Sequence, residues 1–445
     1  MTPPPTTGGM EVVEADLTWT GEGFRSEIQV AIDPDGRIEA VGRLGRPVDR
    51  RLAGRALLPG LVSAHSHAFQ RGLRGRGERF PEGAGSFWTW REAMYGLVES
   101  LDPDRFRTLC LQSFREMRDA GITTVGEFHY LHHAAGGEDY AFDRLVLEAA
   151  AEAGIRIALL STCYRAGGLG RPLEALQRRF ATPSNDTFWE SVDRLAKDLD
   201  PSAQSLGVAA HSIRAVPIEE IVRLHQETTR RGLVFHMHVA EQSREVAECV
   251  ERYGKPPLAL LNEELAIDGR FTAIHCTCAE PDQLERFAAA GGNVCLCPLT
   301  EANLGDGILD LTPLLAGAAD DRLSLGTDSN ARISMVEEMR WLEYGQRLAT
   351  RTRGVLTDRN DVARALLKIA TLGGARSLGI EAGEITPGRR ADFAALDLEA
   401  PELAGLDEES LLAGWIFGAG NSVVAGTCVG GRWRLRQSSA ENPRS

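Results

Sequence analysis

Eight short apolar segments, separated by amphipathic helical sequence, constrain this chain more than any other feature. They are Leu57–His65, Thr123–Phe128, Arg156–Ser161, Ser205–Ala210, Leu233–His238, Thr272–His275, Asn293–Leu296 and Leu323–Thr327. Each is bounded like a strand and is short for a buried helix. Between them, stretches such as Pro217–Arg231 and Pro281–Ala290 carry helical spacing. Strand and helix in alternation predict βα units, and eight such units close into an α/β (β/α)8 TIM barrel of about 250 to 400 residues. A chain of 445 residues leaves room for a second, small unit.

Both chain ends supply that unit. Ile28–Ile32 and Arg37–Val41 alternate in polarity around the turn Asp33-Pro34-Asp35-Gly36, which predicts a hairpin. Ala391–Leu396 and Ser422–Val429 repeat the style at the far end. The expectation is a small β-sandwich domain of residues 10–56 plus 385–436, around a barrel of residues 57–384. Residues 1–9 read as disordered and 437–445 as a loose tail.

A net charge of −14 argues against a general nucleic-acid binder, and no apolar run has the length of a membrane span. The start MTPPPTTGG has no charged stretch followed by an apolar one, so no secretion signal is expected and a cytoplasmic location is. The eight cysteines are too few for a disulfide scaffold in so long a chain. Cys276/Cys278 and Cys295/Cys297 read as buried thiols, with a structural zinc site as the alternative.

Polar residues gather at the C-terminal ends of the strand segments, the face where a barrel of this kind carries its active site. His65-Ser66-His67 ends the first. A spacing of two on a strand points both imidazoles the same way, which makes half of a zinc-type site. His238 in Phe235-His236-Met237-His238 offers a third ligand. His236 shares its parity but lies deeper, so it is a packed residue or a substitute ligand. Glu241, three residues on, can move protons beside a metal without binding it. Asp328 after the last strand completes a ligand set and can also accept a proton from water; a capping carboxylate is the plainer reading. His275 is placed to orient or deprotonate that water. Arg214, in His211-Ser212-Ile213-Arg214, and Arg91, in Phe87-Trp88-Thr89-Trp90-Arg91, suggest a doubly anionic small substrate, since arginine grips carboxylates bidentately.

Pro59-Gly60-Leu61-Val62 before His65-x-His67, followed by His238, His275 and Asp328, resembles the amidohydrolase superfamily over nearly the whole chain. The pairing His238-x-x-Glu241 resembles its deaminase branch, whose sites hold one metal. Binuclear branches use a carboxylated lysine at the end of strand four. Here Lys197, Lys255 and Lys368 are the only lysines, and strand four ends in His211. One divalent ion is therefore expected, zinc first, although iron also suits such ligands. The run His65-Ser66-His67-Ala68-Phe69-Gln70-Arg71, with Phe87-Trp88-Thr89-Trp90-Arg91-Glu92 and Glu127-Phe128-His129-Tyr130, is similar to the formimidoylglutamate deiminase family of histidine degradation. That resemblance implies hydrolysis of N-formimino-L-glutamate to N-formyl-L-glutamate and ammonia. It also implies that Gln70, Arg91, Tyr130, His211 and Arg214 hold the glutamate portion, and that the chain forms a homodimer. Two rival expectations stand beside it: a deaminase or chlorohydrolase acting on a guanine-like or pterin-like ring, and a catalytically silent metal-binding homologue.

Overall fold

A computed structural model describes residues 9–78, 85–137, 139–316 and 322–436. Residues 1–8 of the expected N-terminal segment and the tail 437–445 lie outside the described residues.

Eight parallel strands pair in chain order: β1 (Leu61–Ser66), β2 (Ile122–His129), β3 (Arg156–Cys163), β4 (Gln204–Ser212), β5 (Phe235–Val239), β6 (Phe271–His275), β7 (Asn293–Leu296) and β8 (Leu323–Leu325). Every residue of β1, β2 and β3 is buried, as expected of strands covered on both faces. Helices cover the outside, including Ile218–Arg230 and Pro281–Ala289 where helical spacing predicted them. The seam between β1 and β8 closes just beyond the last strand. There the Asp328 amide donates to the His65 carbonyl at 3.1 Å, and the His67 amide donates to the Asp328 carbonyl at 2.9 Å. The architecture is the TIM barrel expected.

The second sheet is mixed and eight-stranded, with strands from both ends of the chain. Glu11–Trp19, Gln29–Ile32 and Ile38–Gly42 pair antiparallel in sequence, and Phe393–Asp397, Val424–Val429 and Arg432–Leu435 do the same. Arg50–Pro59 joins the halves, parallel to Glu11–Trp19 and antiparallel to Phe393–Asp397. The expected small β domain of both chain ends is built from one hydrogen-bonded sheet. Its two wings share a core of Val13, Val30, Ile38, Leu57, Phe393 and Cys428.

One expected strand is in fact two. Leu57–Pro59 pairs in the small sheet and Leu61 opens the barrel, so the boundary placed at residue 57 falls at Gly60. Gly60 is required there: a Cβ would lie 2.1 Å from the Thr123 hydroxyl oxygen. The two sheets are tied by a buried bidentate pair, with Arg156 donating to both Asp392 oxygens at 2.8 and 3.0 Å.

Candidate metal centre and substrate cavity

The strand ends bring His65, His67, His238 and Asp328 to one point. His65 and His67 project from the end of β1, His238 from β5, and Asp328 from the turn after β8. His238 Nε2 lies 3.2 Å from His65 Nε2 and 3.4 Å from His67 Nε2. Asp328 Oδ1 lies 3.3 Å and 3.5 Å from the same two atoms. A tetrahedral zinc with ligand bonds near 2.0–2.1 Å has ligand-to-ligand edges of about 3.3–3.4 Å. His65, His67 and His238 are grouped as ligands of a metal ion could be, and Asp328 is grouped so with His65 and His275.

Their protonation fits as well. His67 Nδ1 and His238 Nδ1 each lie 2.9 Å from a backbone carbonyl, of Phe128 and His211 respectively. A carbonyl only accepts, so the proton sits on Nδ1 and the Nε2 lone pair faces the common point. Burial keeps all three imidazoles neutral: it drives His65 down to about 3, and lowers His67 and, further, His238. Burial would raise the Asp328 carboxyl, but the hydrogen bond from His65 and the positive charge of His275 hold it well below the usual range. His65 Nδ1 is buried without a partner. Asn330 steadies the turn by donating to the carbonyls of His67 and Asp328.

His275 ends β6 beside this cluster. Its Nε2 is 3.7 Å from Asp328 Oδ2 and its Nδ1 is 3.2 Å from Glu301 Oε1. Burial alone would lower this imidazole, yet the Glu301 hydrogen bond and the nearby Glu241 and Asp328 carboxylates push it up to about 10. Glu301 is itself held by the Cys297 amide, which donates to the same oxygen at 2.8 Å. Backbone strain concentrates here. Among the described residues ten non-glycines take positive φ, and Ala240, His275, Cys276, Asp328 and Asn330 are five of them. Such conformations cost energy and are retained where the surroundings over-determine them, often at functional sites.

Above the cluster lies a cavity lined by His67, His238, Glu241, His275 and Asp328 together with Gln70, Arg91, Tyr130, His211 and Arg214. Gln70 sits on the turn after β1 and donates to the Tyr130 hydroxyl at 2.8 Å. Glu127 Oε1 fixes this turn by accepting the Ala68 amide at 2.7 Å, and burial pushes its carboxyl up to about 8. Arg91 rides on helix α1 (Phe87–Glu99), which Ser86 and Thr89 cap reciprocally. Its guanidinium lies 5.2 Å from the Trp88 ring centre and 5.3 Å from that of Tyr95. Arg214 follows β4, stacks 5.3 Å from the Phe87 ring, and donates to Glu241 Oε2 at 2.6 Å.

Residues 56–434 match the amidohydrolase family. The chain belongs to that family. This amidohydrolase is 38% identical over 434 residues to formimidoylglutamate deiminase of Pseudomonas aeruginosa, covering 96% of the chain and 95% of that protein. It is 26% identical to the 5-methylthioadenosine/S-adenosylhomocysteine deaminase of Haloarcula marismortui, covering 98% and 93%. The crystal structure of an amidohydrolase from Brucella melitensis superposes with a TM-score of 0.87 at 34% identity, covering 96% and 94%. The chain is therefore a hydrolase acting on C–N bonds and a homologue of formimidoylglutamate deiminase.

All eleven site residues expected from sequence lie together: ten line one cavity, and His65 stands in the cluster beneath it. His236 does not belong to it; its Nε2 is 2.8 Å from the Ser377 carbonyl, away from the cluster. All eight cysteines are free. Glu245, Glu301 and Asn330 were not anticipated. Each follows a strand end in sequence, the one signal that could have marked them, but carboxylates and amides there are common as caps.

Proposed function

We propose that this amidohydrolase hydrolyses N-formimino-L-glutamate to N-formyl-L-glutamate and ammonia, as a step of histidine degradation. The observation that carries the proposal is the cavity itself. Two guanidinium groups, Arg91 and Arg214, stand in one small chamber over a cluster of three imidazoles and a carboxylate. A substrate with two carboxylates and one hydrolysable C=N bond matches that layout, whereas a neutral ring calls for neither arginine. The name of the Pseudomonas aeruginosa relative supports the same choice.

His65, His67, His238 and Asp328 would hold a single zinc ion. When bound, zinc makes water a nucleophile at neutral pH and polarises the carbon it attacks. The protein's own groups do the rest. Arg91 and Arg214 hold the two carboxylates, while Gln70, Tyr130 and His211 close the chamber around the glutamate portion. Asp328 takes the proton of the attacking water, which His275 orients. Glu241 delivers a proton to the departing nitrogen, the C–N bond breaks, and ammonia leaves. Alignment of the formimino carbon by two fixed ion pairs lowers the barrier before any proton moves. A homodimer in the cytoplasm belongs to the same reading, and sedimentation of the zinc-loaded protein tests the first part of it.

Ammonia release by the zinc-reconstituted protein, measured over formimino, guanidino and ring substrates, tests the function. Preferential turnover of N-formimino-L-glutamate is expected. Faster turnover of a ring compound would sink the proposal.

A further inference from the structure

One guanidinium in the cavity is already engaged. Arg214 donates through Nη2 to Glu241 Oε2 at 2.6 Å, and its Nε lies 3.6 Å from Glu245 Oε2. Its Nη1 is buried with no hydrogen-bond partner, and so is Glu245 Oε2. Glu245 is fully buried on the first turn of the helix Ser243–Tyr253, where its other oxygen accepts the Ala240 amide at 3.2 Å. The group assigned to bind a substrate carboxylate is thus bonded to the group assigned to protonate the leaving nitrogen. A buried charged hydrogen bond is strong, so Arg214 restrains the Glu241 carboxylate through Oε2 and opposes its turning to the substrate.

We propose that Arg214 is a substrate-operated latch: an arriving carboxylate takes over the guanidinium, releasing Glu241 toward the reacting nitrogen. No charge is stranded in the exchange, because one carboxylate replaces another. Glu245 acts as a positioning residue. It stays beside Nε throughout and keeps the guanidinium from following Glu241. Binding energy from a carboxylate remote from the chemistry is then realised as reactivity, so a substrate lacking that carboxylate loses kcat and not only affinity. The latch explains how a small chamber can reject a monoanion of nearly the right shape.

The latch presupposes the formiminoglutamate reading, so the test separates the two. The zinc-loaded full-length protein is assayed with N-formimino-L-glutamate and two truncated forms. N-formimino-4-aminobutanoate lacks the α-carboxylate, and N-formimino-2-aminobutanoate lacks the γ-carboxylate. Loss of the carboxylate that meets Arg214 is expected to lower kcat by about 100-fold, the contribution of a withheld proton donor. Added formate should restore part of it. Loss of the other carboxylate should act mainly on KM. Glu245→Gln should lower kcat on the full substrate by roughly tenfold with zinc content unchanged, because Glu241 becomes the sole counter-charge of Arg214. A crystal structure with N-formyl-L-glutamate gives a readout independent of turnover: Arg214 should hold a ligand carboxylate, with Glu241 beyond hydrogen-bond reach. Truncations that both change KM alone, or an Arg214–Glu241 bond that persists with ligand bound, overturn the latch. Failure to turn over any of the three compounds overturns the function and the latch together.

Discussion

Gly326 sits where β8 meets the seam with β1, two residues before Asp328. A Cβ added there would lie 2.8 Å from both His65 Cβ and the His65 carbonyl oxygen, and 3.0 Å from Cys297 Sγ. Comfortable carbon contacts need about 3.5 Å, so Gly326→Ala must part the seam by about 0.7 Å. Two of the neighbours are backbone or Cβ atoms of a buried strand and cannot swing aside. Overpacking of this kind costs about 1–3 kcal/mol. The same movement separates His65 from Asp328, whose ligand atoms are 3.3 Å apart. Metal–ligand distances tolerate only about 0.2 Å, and disturbing a ligand's support costs about 10- to 100-fold in metal affinity. The variant should therefore show a lower urea midpoint and, in competition with a chelator, weaker zinc binding by that factor. Gly96→Ala is the control. Gly96 is exposed in α1 with nothing within 4 Å of the new Cβ, so its stability should rise by up to about 1 kcal/mol, with zinc affinity unchanged. Wild-type stability and wild-type zinc affinity in Gly326→Ala would refute the reasoning, since His65 would then have stayed in place despite the methyl.

Other perturbations separate the parts of the site. Arg214→Ala and Arg91→Ala should each lower kcat/KM for N-formimino-L-glutamate by at least about 30-fold while zinc content by atomic absorption stays at the wild-type level; loss of zinc would count against the substrate role. Glu301→Gln removes the negative charge that His275 Nδ1 meets, so kcat should fall by about 100-fold with little change in KM; a KM effect alone would place Glu301 outside the proton path. Stability should also depend on pH through His132, whose Nδ1 and Nε2 lie 2.9 and 2.8 Å from the acceptors Asp143 Oδ1 and the Thr162 carbonyl. Burial opposes the charge on His132, but Asp143 and Thr162 raise its pKa above 6.5, so its stabilisation is full below pH 6.5 and is lost as pH rises through the folded value. His132→Gln should flatten the urea midpoint against pH above 6.5, and an unchanged slope would show His132 to be neutral in the fold.

The fold was legible because eight buried strands leave apolar runs, and the convergence of His65 and His67 because a spacing of two on a strand has one geometric meaning. Arg91 and Arg214 were legible as charges, and the resemblance in Phe69 to Arg91 gave them a ligand. Gly60 was hidden inside an apolar run that continues on both sides, so only the pairing partners reveal the change of sheet. Glu245 and Glu301 were hidden for another reason. Each acts on a residue far away in sequence, Arg214 or His275, and a local pattern cannot distinguish such a carboxylate from a helix cap. The bond between Arg214 and Glu241 was invisible for the same cause: both residues were placed in the site, each with its own task, and only the fold shows them holding each other.

Barrel closure and ligand assembly are one event in this chain. The hydrogen bonds that close the seam join His65, His67 and Asp328 by their backbones, and the side chains of the same three residues converge, with Asp328 Oδ1 3.3 and 3.5 Å from the two Nε2 atoms, where the proposed ion would sit. An ion bound there pulls together the first and last strands, which are also the pair farthest apart in sequence. The loop closed by that contact is long, and closing a long loop is the slow, entropically costly part of folding such a sheet. Metal should thus stabilise the closed barrel through linkage, by an amount that grows with free zinc concentration. His238 and Asp143 offer the contrast. His238 joins from the opposite wall and completes the set without touching the seam, whereas the buried His132–Asp143 pair ties β2's loop to its own helix and gains nothing from closure. Chelation should accordingly loosen amide protection first at β1 and β8, with β2 and β3 last to exchange.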